Sequence, residues 1–337
     1  MTKPFSAVMK SFQIKVMSIQ LSIALLGIGL LSPAVQAQDY PNKPITVVVH
    51  LAAGTVSDLV YRAVVPHMSR NLGRQIVVEN RPGANGVIAW EYVVKRVPAD
   101  GYTIATANNS NLTLPIFVKD LSIDPVKDMV PVAIIGDSAL VLHSPVNTPW
   151  NTMTELVNYA KANPGKLNWG TAGSASVANL NQDAVLQKDG LNIVTIPYQG
   201  GNNVAIIALL AGDIQLLLST ESEGMLHTRA GKTKALAITG DRRLPAFPNV
   251  PTFAELGYPP LVGVWWAFIV RPGTAKPIID RLNKAASYAV QQPEVKEFFA
   301  KNGVYPIDIS PEAAAKKYED ISRSYTEIAA KAGVKAQ

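Results

Sequence analysis

Three stretches of small and hydroxylic residues each lie between a short apolar run and a run with helical periodicity. They are residues 54–58, 171–176 and 198–201. Small residues let the backbone approach a ligand, and the start of a helix presents unpaired N–H groups at the positive end of its dipole. Such a place suits an anion such as a carboxylate. The pattern therefore indicates a binding site for a small acid, and capped structural turns are the alternative.

A further polar stretch follows another predicted strand. Asn108 and Asn109 come directly after an apolar run at residues 102–107, and ligands of open α/β sheets lie beyond the carboxyl ends of strands. A solvated turn is the alternative. The candidate ligand-binding residues from these patterns are Gly54, Thr55, Val56, Ser57, Asp58, Asn108, Asn109, Thr171, Ala172, Ser174, Ala175, Ser176, Tyr198, Gln199, Gly200 and Gly201. We expect the hydroxyls of Thr171, Ser174 or Ser176 to bind the acid directly.

The elements that position these residues follow from side-chain periodicity. Residues 45–49 form a β-branched run typical of a buried strand, and Thr55 and Asp58 have the spacing of a helix capping box. Pro66 predicts a kink or an early end in the helix that follows. Residues 76–78 indicate a second buried strand. Apolar runs near residues 135–143 and 261–270 are candidates for crossings between two domains.

The first 37 residues form a predicted signal peptide. Lys3, Lys10 and Lys15 give a basic start, residues 19–31 are mostly apolar, and residues 35–37 are a small-x-small cleavage site. The apolar run is too short to span a bilayer comfortably, which disfavours the alternative of a membrane anchor. We expect export to the periplasm with cleavage after Ala37.

Composition restricts the class of the mature chain. Removing the first 37 residues takes away three lysines and no acids, which lowers the formal charge from +6 to +3. A charge of +3 without a basic stripe does not indicate a nucleic-acid-binding protein. It mildly favours small anions as ligands. The absence of cysteine excludes disulfides, thiol catalysis and cysteine metal sites. The four histidines show no metal-ligand spacing, and we expect no cofactor.

None of the motifs in the sequence indicates a catalytic site. Residues 230–233 resemble the end of a phosphate-binding P-loop, but Leu226 stands where its first glycine would have to be. Glu221 and Glu223 alternate along a segment that we interpret as extended or loop, a solvated face rather than a glycosidase pair. No nucleophile with a base in reach is visible, so we predict that the protein is not an enzyme.

Several short motifs follow one another in a specific order. They are Tyr-Pro-x-Lys-Pro-Ile at 40–45, Val-Glu-Asn-Arg-Pro-Gly-Ala at 78–84, Asp-Gly-Tyr-Thr at 100–103, Pro-Gly-Lys-Leu at 164–167, Pro-Tyr-x-Gly at 197–200, Ala-Leu-Leu-x-Gly at 208–212 and Pro-x-Val-Pro-Thr at 248–252. Together they resemble the periplasmic solute-binding proteins of tripartite tricarboxylate transporters, the Bug family. The resemblance covers nearly all of the mature chain.

The resemblance implies a type II periplasmic binding-protein fold. Its two α/β lobes would each be a mixed sheet flanked by helices, joined by two crossings and closing on a carboxylate. Lobe 1 would comprise residues 38–138 and 262–337, and lobe 2 residues 139–261. The loops that hold the ligand in this family match residues 54–58, 171–176 and 198–201.

The chain departs from the family pattern at several positions. His50 and Leu51 replace a usual Pro-Phe, and Thr55 replaces the second glycine of the first loop. Ala175 and Asn179 replace a glycine and a histidine of the second loop. The resemblance therefore implies that Asn179 is a further candidate ligand-binding residue. Gln215 replaces an aspartate that is common after the third helix. If Gln215 reaches the cleft, a partner for a ligand ammonium is lost, so we expect an acid that needs no amino group.

The resemblance predicts a receptor that captures a di-, tri- or aromatic carboxylate. It would deliver the acid to two membrane subunits, which are separate chains, and would itself be a monomer. Trp169 beside the second loop favours an aromatic acid such as terephthalate, and a core tryptophan is the alternative. An exported hydrolase and a ligand-sensing receptor for a membrane signalling protein are the competing hypotheses.

Overall fold

The computed structural model describes residues 40–171, 176–198, 202–259, 261–331 and 333–334. The predicted signal peptide lies outside these residues. So do six of the candidate ligand-binding residues, namely Ala172, Ser174, Ala175, Gln199, Gly200 and Gly201.

The chain forms a mixed α/β fold in three passes. The first pass contains β1 (Ile45–Val49), α1 (Val56–Leu72), β2 (Ile76–Asn80), α2 (Val87–Glu91), β3 (Thr103–Asn108), α3 (Asn109–Phe117) and β4 (Val130–Ser138). The second contains β5 (Leu140–Pro145), α4 (Met153–Ala162), β6 (Asn168–Thr171), α5 (Val177–Asp189), β7 (Val194–Pro197), α6 (Asn202–Ala211), β8 (Leu216–Thr220), α7 (Glu221–Arg229) and β9 (Thr233–Ile238). The third contains β10 (Val264–Val270), α8 (Lys276–Val290), α9 (Pro293–Lys301), β11 (Tyr305–Pro306) and α10 (Pro311–Lys331).

The strands form two sheets, which confirms the predicted fold class. The first and third passes make a six-stranded sheet in the order β11-β4-β10-β3-β1-β2, and the second pass makes a five-stranded sheet in the order β7-β6-β8-β5-β9. The chain changes sheet between β4 and β5 and again between β9 and β10. These changes fall where the lobe boundaries are predicted, and the boundaries themselves stay a prediction.

Strand direction determines which loops share an edge. β1 runs parallel to β2 and β3, while β10 runs antiparallel to β3 and β4. The carboxyl ends of β1 and β3 therefore lie at the same edge as the beginning of β10. In the second sheet β6 runs parallel to β7 and β8, so the loops after these three strands also share one edge.

The two crossings touch at Gly263. A Cβ at that position would lie 2.1 Å from Ser138 O and 3.1 Å from Ala139 Cα. Only a residue without a side chain lets the two chain segments approach so closely. We call residues 138–140 the first crossing and residues 239–263 the second crossing.

Two predictions about the first pass were wrong, the early end of α1 at Pro66 and the buried strand at residues 76–78. Helix α1 continues through Pro66 to Leu72, and a kink at Pro66 stays a prediction. Pro66 is exposed, so the carbonyl that loses its N–H partner is not forced to stay unsatisfied in the core. Residues 76–78 do not form a buried strand, because β2 is the edge of its sheet and Val77 is 45% exposed.

The interpretation of residues 221–223 as an extended, solvated face was also wrong. They begin helix α7, in which Thr220 and Glu223 form a capping box. Glu221 is buried, and its Oε2 accepts a hydrogen bond from Tyr305 Oη at 2.9 Å. A buried carboxylate needs such a partner, and here the partner comes from β11 of the other sheet. Glu221 therefore links the two sheets.

Candidate ligand-binding site

The first loop is held in place by one carboxylate. The Asp58 side chain is 1% exposed. It accepts hydrogen bonds from Gly54 N at 2.9 Å, Arg62 Nε at 2.8 Å and Asn80 Nδ2 at 2.8 Å. Asn80 Nδ2 also donates to Leu51 O at 2.9 Å. These bonds join the loop, the first turns of α1 and the end of β2 into one unit.

The bonds to Asp58 decide its ionisation. Burial has the largest single effect and raises its pKa, but the hydrogen bonds from Asn80, Arg62 and Gly54, with the charge of Arg62, outweigh burial and lower the pKa below its usual value. Asp58 is therefore a carboxylate at neutral pH. Both of its oxygens accept bonds from the surrounding protein, so we interpret it as the anchor of its own loop.

The start of α1 offers donors to an anion. Thr55 is the N-cap, and its Oγ1 accepts from Asp58 N at 3.3 Å. The N–H groups of Val56 and Ser57 have no acceptor among the described residues. The Ser57 hydroxyl oxygen accepts from Trp266 Nε1 at 2.8 Å, which leaves the hydroxyl proton to point elsewhere. Two amides and one hydroxyl are thus directed away from the helix at its positive end.

The second loop ends in a pair of hydroxyls at the start of α5. Ser176 is the N-cap, with its Oγ 3.2 Å from Asn179 N and 3.2 Å from Thr171 Oγ1. Thr171 is buried at the end of β6. Asn179 Nδ2 donates to Asp183 Oδ2 at 3.0 Å, and burial raises the pKa of Asp183 to about 6. Thr171, Ser176 and Asn179 therefore lie together, as the sequence predicts.

The third loop begins beside the second. Tyr198 N donates to Thr171 O at 2.9 Å, so the chain leaves β6 and β7 at adjacent points. Past that loop, Asn202 Nδ2 donates to Glu223 Oε2 at 2.8 Å, and Glu223 also accepts from Thr220 N at 2.9 Å. The starts of α6 and α7 are therefore joined at the same edge of the sheet.

Asn108 and Asn109 have different roles. Asn108 caps α3 with its side-chain oxygen, which accepts a backbone N–H of that helix at 3.0 Å. Asn109 Nδ2 donates to Gly263 O at 2.8 Å and contacts the Tyr325 hydroxyl, while its Oδ1 accepts from Trp265 N at 3.1 Å. The donors and the acceptor of Asn109 are thus engaged inside the protein, so we do not carry it into the proposed site.

One short segment of the chain contacts helices of both the first and the second pass. We call residues 262–266 the return segment. Asn181 of α5 donates to Val262 O at 2.8 Å and accepts from Val262 N at 3.4 Å, while Asn109 holds the next peptide group. Ser57 reaches the same segment through the indole of Trp266, and helices α3 and α5 contact each other. The first turns of α1 and α3 and the second turn of α5 therefore contact the return segment.

Two residues proposed to influence the ligand lie elsewhere. Trp169 is buried in the core, as are the other four tryptophans, so it is not available to stack on an aromatic acid. Gln215 precedes β8, where its Oε1 accepts from Asn168 N at 2.9 Å and its Nε2 donates to Gly212 O at 2.8 Å. Because β8 runs parallel to β6, Gln215 lies at the edge opposite the second loop.

The described residues contain a separate cavity of about 260 Å³ at the two crossings. Lys317 and Ile321 of α10 line it together with Asp137, whose carboxylate is paired with Arg242 at 3.0 Å. None of the candidate ligand-binding residues lines this cavity. It is therefore distinct from the predicted ligand loops.

Two searches of the described residues bear on other classes of function. No group of three or more His, Asp or Glu side chains in the described part of the chain could hold a metal ion. None of the described helices has the length and apolar character needed to cross a membrane.

Comparison with known proteins identifies the family. The profile described as "Tripartite tricarboxylate transporter family receptor" matches residues 60–334. The chain belongs to this family. It is 34% identical over 286 residues to a UPF0065 protein of Bordetella pertussis, with 84% of this chain and 88% of that protein covered. It is 32% identical over 325 residues to protein BugT of the same organism, with 93% and 98% covered.

Solved structures of similar proteins agree with this assignment. The periplasmic binding protein BugD is 31% identical, with a TM-score of 0.72 over 88% of this chain and 100% of that one. Rpa4515 of R. palustris, solved with adipate, is 26% identical with a TM-score of 0.75 over 89% and 100%. MatC of Rhodopseudomonas palustris, solved with malate, is 27% identical with a TM-score of 0.71 over 86% and 100%. The predicted resemblance to the Bug family is confirmed.

The Asp58 anchor leads to a prediction about stability. We expect Asp58→Asn to lower the free energy of unfolding by roughly 1.5–3 kcal/mol near neutral pH, because it removes hydrogen bonds to a charged acceptor. Since the folded-state pKa of Asp58 is lowered, its contribution is present above the unfolded pKa of about 3.9 and is lost as the pH falls through the folded pKa. Urea unfolding of both proteins at about pH 7 and about pH 3 measures the difference.

Asp280→Asn is the matched control for this experiment. Asp280 forms an exposed pair with Lys276 at 2.7 Å, and exposed pairs contribute about 0–1 kcal/mol. We expect a small effect at both pH values. An Asp58→Asn effect of equal size at both pH values would show that the charge of Asp58 does not stabilise the loop.

Proposed function

We propose that the protein is a periplasmic receptor that captures a small organic acid with two carboxylates and delivers it to a tripartite tricarboxylate transporter. The observation that carries this proposal is that the first turns of α1 and α3 and the second turn of α5 all contact the return segment. Unpaired N–H groups and positive dipole ends at helix starts favour anions. The proposed site consists of the candidate residues of the three loops together with Asn108 and Asn179.

The electrostatics of the first loop support an acid as the ligand. Its one carboxylate, Asp58, accepts bonds from the backbone of Gly54 and from two side chains, one of them the cation Arg62. A ligand carboxylate would therefore meet the N–H groups of Val56 and Ser57 and the Ser57 hydroxyl. Helix starts contribute about 0.3–1 kcal/mol each through the dipole when exposed and up to ~2 kcal/mol when partly buried.

Two arguments about the ligand change with the structure. The case for an aromatic acid depended on Trp169, which is a core residue. The argument against an amino group depended on Gln215 reaching the cleft, and Gln215 lies at the opposite sheet edge. The dicarboxylate proposal depends instead on the helix starts and on two receptors of the same fold, solved with adipate and with malate.

The two-lobed organisation is part of this proposal. Lobe 1 would comprise residues 38–138 and 262–337, lobe 2 residues 139–261, and the lobes would close on the acid. The receptor would act as a monomer and pass its ligand to two separate membrane subunits. Family membership favours binding over hydrolysis, since the family is one of transporter receptors and BugD is a binding protein.

We predict that small dicarboxylates stabilise the purified protein. At ~100 times its dissociation constant a ligand raises the free energy of unfolding by about 2.7 kcal/mol, which a thermal melt resolves. A melt series compares adipate and malate with their half-amides and with an amino acid of similar size. The same samples are assayed for chemical change, since stoichiometric binding without turnover separates a receptor from a hydrolase. Stabilisation by the amino acid alone, or turnover of any compound, would contradict the proposal.

We predict that Ser176 binds the acid in addition to capping α5. A hydrogen bond to a charged group contributes roughly 1.5–3 kcal/mol, so Ser176→Ala should weaken binding about tenfold or more. Thr152→Ala is the matched control, because Thr152 caps α4 of the same sheet with the same geometry, its side chain accepting from Glu155 N at 3.2 Å. Both changes should lower stability by about 1 kcal/mol. Titration calorimetry giving equal affinities for the two variants would restrict Ser176 to capping.

We predict export with cleavage after Ala37. The basic start, the apolar run and the small-x-small site at residues 35–37 motivate this expectation, and the relative BugD is a periplasmic binding protein. Intact-mass measurement of the protein released from the periplasm should give a chain that begins at Gln38. A membrane-bound species that retains the first 37 residues would contradict this prediction.

A further inference from the structure

A buried histidine stands at the carboxyl end of β1 with one ring nitrogen unsatisfied. His50 is 1% exposed, and its ring lies 4.9 Å from that of Trp90. Its Nδ1 lies 2.9 Å from Thr106 Oγ1, while its Nε2 has no hydrogen-bond partner among the described residues. Buried polar atoms are nearly always paired, so this nitrogen requires an explanation.

The proton of the ring can stand on either nitrogen. Thr106 Oγ1 lies 2.9 Å from His50 Nδ1 and 3.4 Å from Val48 O, so it can donate to Nδ1, or accept from Nδ1–H while it donates to Val48. In the arrangement proposed here Nδ1 accepts from the Thr106 hydroxyl and the ring proton is on Nε2. Burial lowers the pKa of His50 to about 4, so the imidazole is neutral near pH 7. Nε2–H is therefore a neutral, buried donor without an acceptor.

Asn108 lies near this ring. It follows Thr106 by two residues in β3, so its side chain stands on the same face of the strand as the hydroxyl that contacts His50. Its side chain also raises the pKa of His50, which opposes part of the effect of burial. Asn108 Oδ1 already accepts Ser110 N at 3.0 Å. Because this oxygen faces Ser110 N–H, the NH₂ group occupies the other side of the amide. Asn108 Nδ2 has no acceptor among the described residues.

We propose that His50 is a positioning residue, which fixes the side-chain amide of Asn108 so that its Nδ2 donates to one carboxylate of the bound acid. In the liganded protein the Asn108 oxygen accepts from His50 Nε2–H as well as from Ser110 N–H. The ring itself does not touch the ligand, and its own position is fixed by Thr106 and Trp90. The inference rests on the proposed function and adds one specific donor from the six-stranded sheet.

A binding series tests this arrangement, starting with the unaltered protein and adipate or malate. We expect Asn108→Ala to weaken binding roughly 10- to 100-fold, as the loss of a hydrogen bond to a charged group does. His50→Leu should weaken it about threefold to tenfold by releasing the amide. His50→Gln should restore most of the affinity, because its Nε2–H₂ offers a donor near the position of the imidazole Nε2–H. The double change His50→Leu with Asn108→Ala should bind like Asn108→Ala alone.

His143→Leu is the matched control. His143 is a second buried histidine with an unpartnered Nε2, and its ring packs against Phe247 at 6.2 Å in the other sheet. It should lose stability to an extent similar to His50→Leu, as urea unfolding would measure, without losing affinity. Nitrogen NMR of the unaltered, labelled protein provides a readout that does not depend on variants folding. The His50 signals should show the Nε2–H tautomer and shift on ligand addition, while those of His143 stay in place.

The outcomes distinguish the two proposals. If the unaltered protein binds no organic acid, the proposed function fails. If it binds an acid but His50→Leu binds equally well, or the losses from His50→Leu and Asn108→Ala simply add, the positioning role of His50 is wrong. The positioning role would also be overturned if the NMR signals showed the Nδ1–H tautomer, or if the His50 signals did not shift on ligand addition. If His50→Leu does not fold, the proposal is tested by the affinity of Asn108→Ala and by the NMR titration of the unaltered protein.

Discussion

The arrangement of the ligand loops depends on how the peptide groups of the return segment are satisfied. These groups leave one sheet and enter the other, so they cannot all pair within a strand ladder, yet buried peptide groups must be paired. Asparagine offers a donor and an acceptor on one short side chain. Asn181 uses both on Val262, and Asn109 uses them on Gly263 and Trp265. Each neutral bond contributes about 0.5–1.5 kcal/mol net, but a buried carbonyl left unpaired costs about 1–3 kcal/mol.

The same anchoring explains how the proposed site would bind an acid without a cluster of cations. Side chains hold the ends of the loops, Asp58 at the first and Thr171 and Ser176 at the second. Backbone N–H groups at the helix starts would then face the acid. Because the carboxylate of the first loop is saturated by Gly54, Arg62 and Asn80, it adds little repulsion toward an incoming anion. The selectivity of such a site comes from groups held in advance.

Local pattern predicts the parts of this structure that are determined locally. β1 and α1, with the Thr55 cap, follow from a β-branched run and a capping sequence, and the turn at Ser176 follows from the same chemistry. The exposure of Val77 could not be predicted, because it depends on β2 being the edge of a sheet whose order is set by the whole chain. Asn109 and Asn181 bond to residues 154 and 81 positions away along the chain, and no local signal marks such partners. The sequence marks His50 only as a departure from the family pattern, because its partner Thr106 lies on another strand.

The contact at Gly263 has a mechanical consequence. Ser138 and Gly263 approach so closely that no side chain fits between the two chain segments. In the proposed lobe closure, this contact would resist sliding of the two segments and would act as the pivot for rotation. Because Asn109 and Asn181 bond to the peptide groups of Gly263 and Val262, such a rotation would carry α3 and α5 with it. The two lobes would rotate about this contact. A side chain introduced at position 263 would force the two chain segments apart.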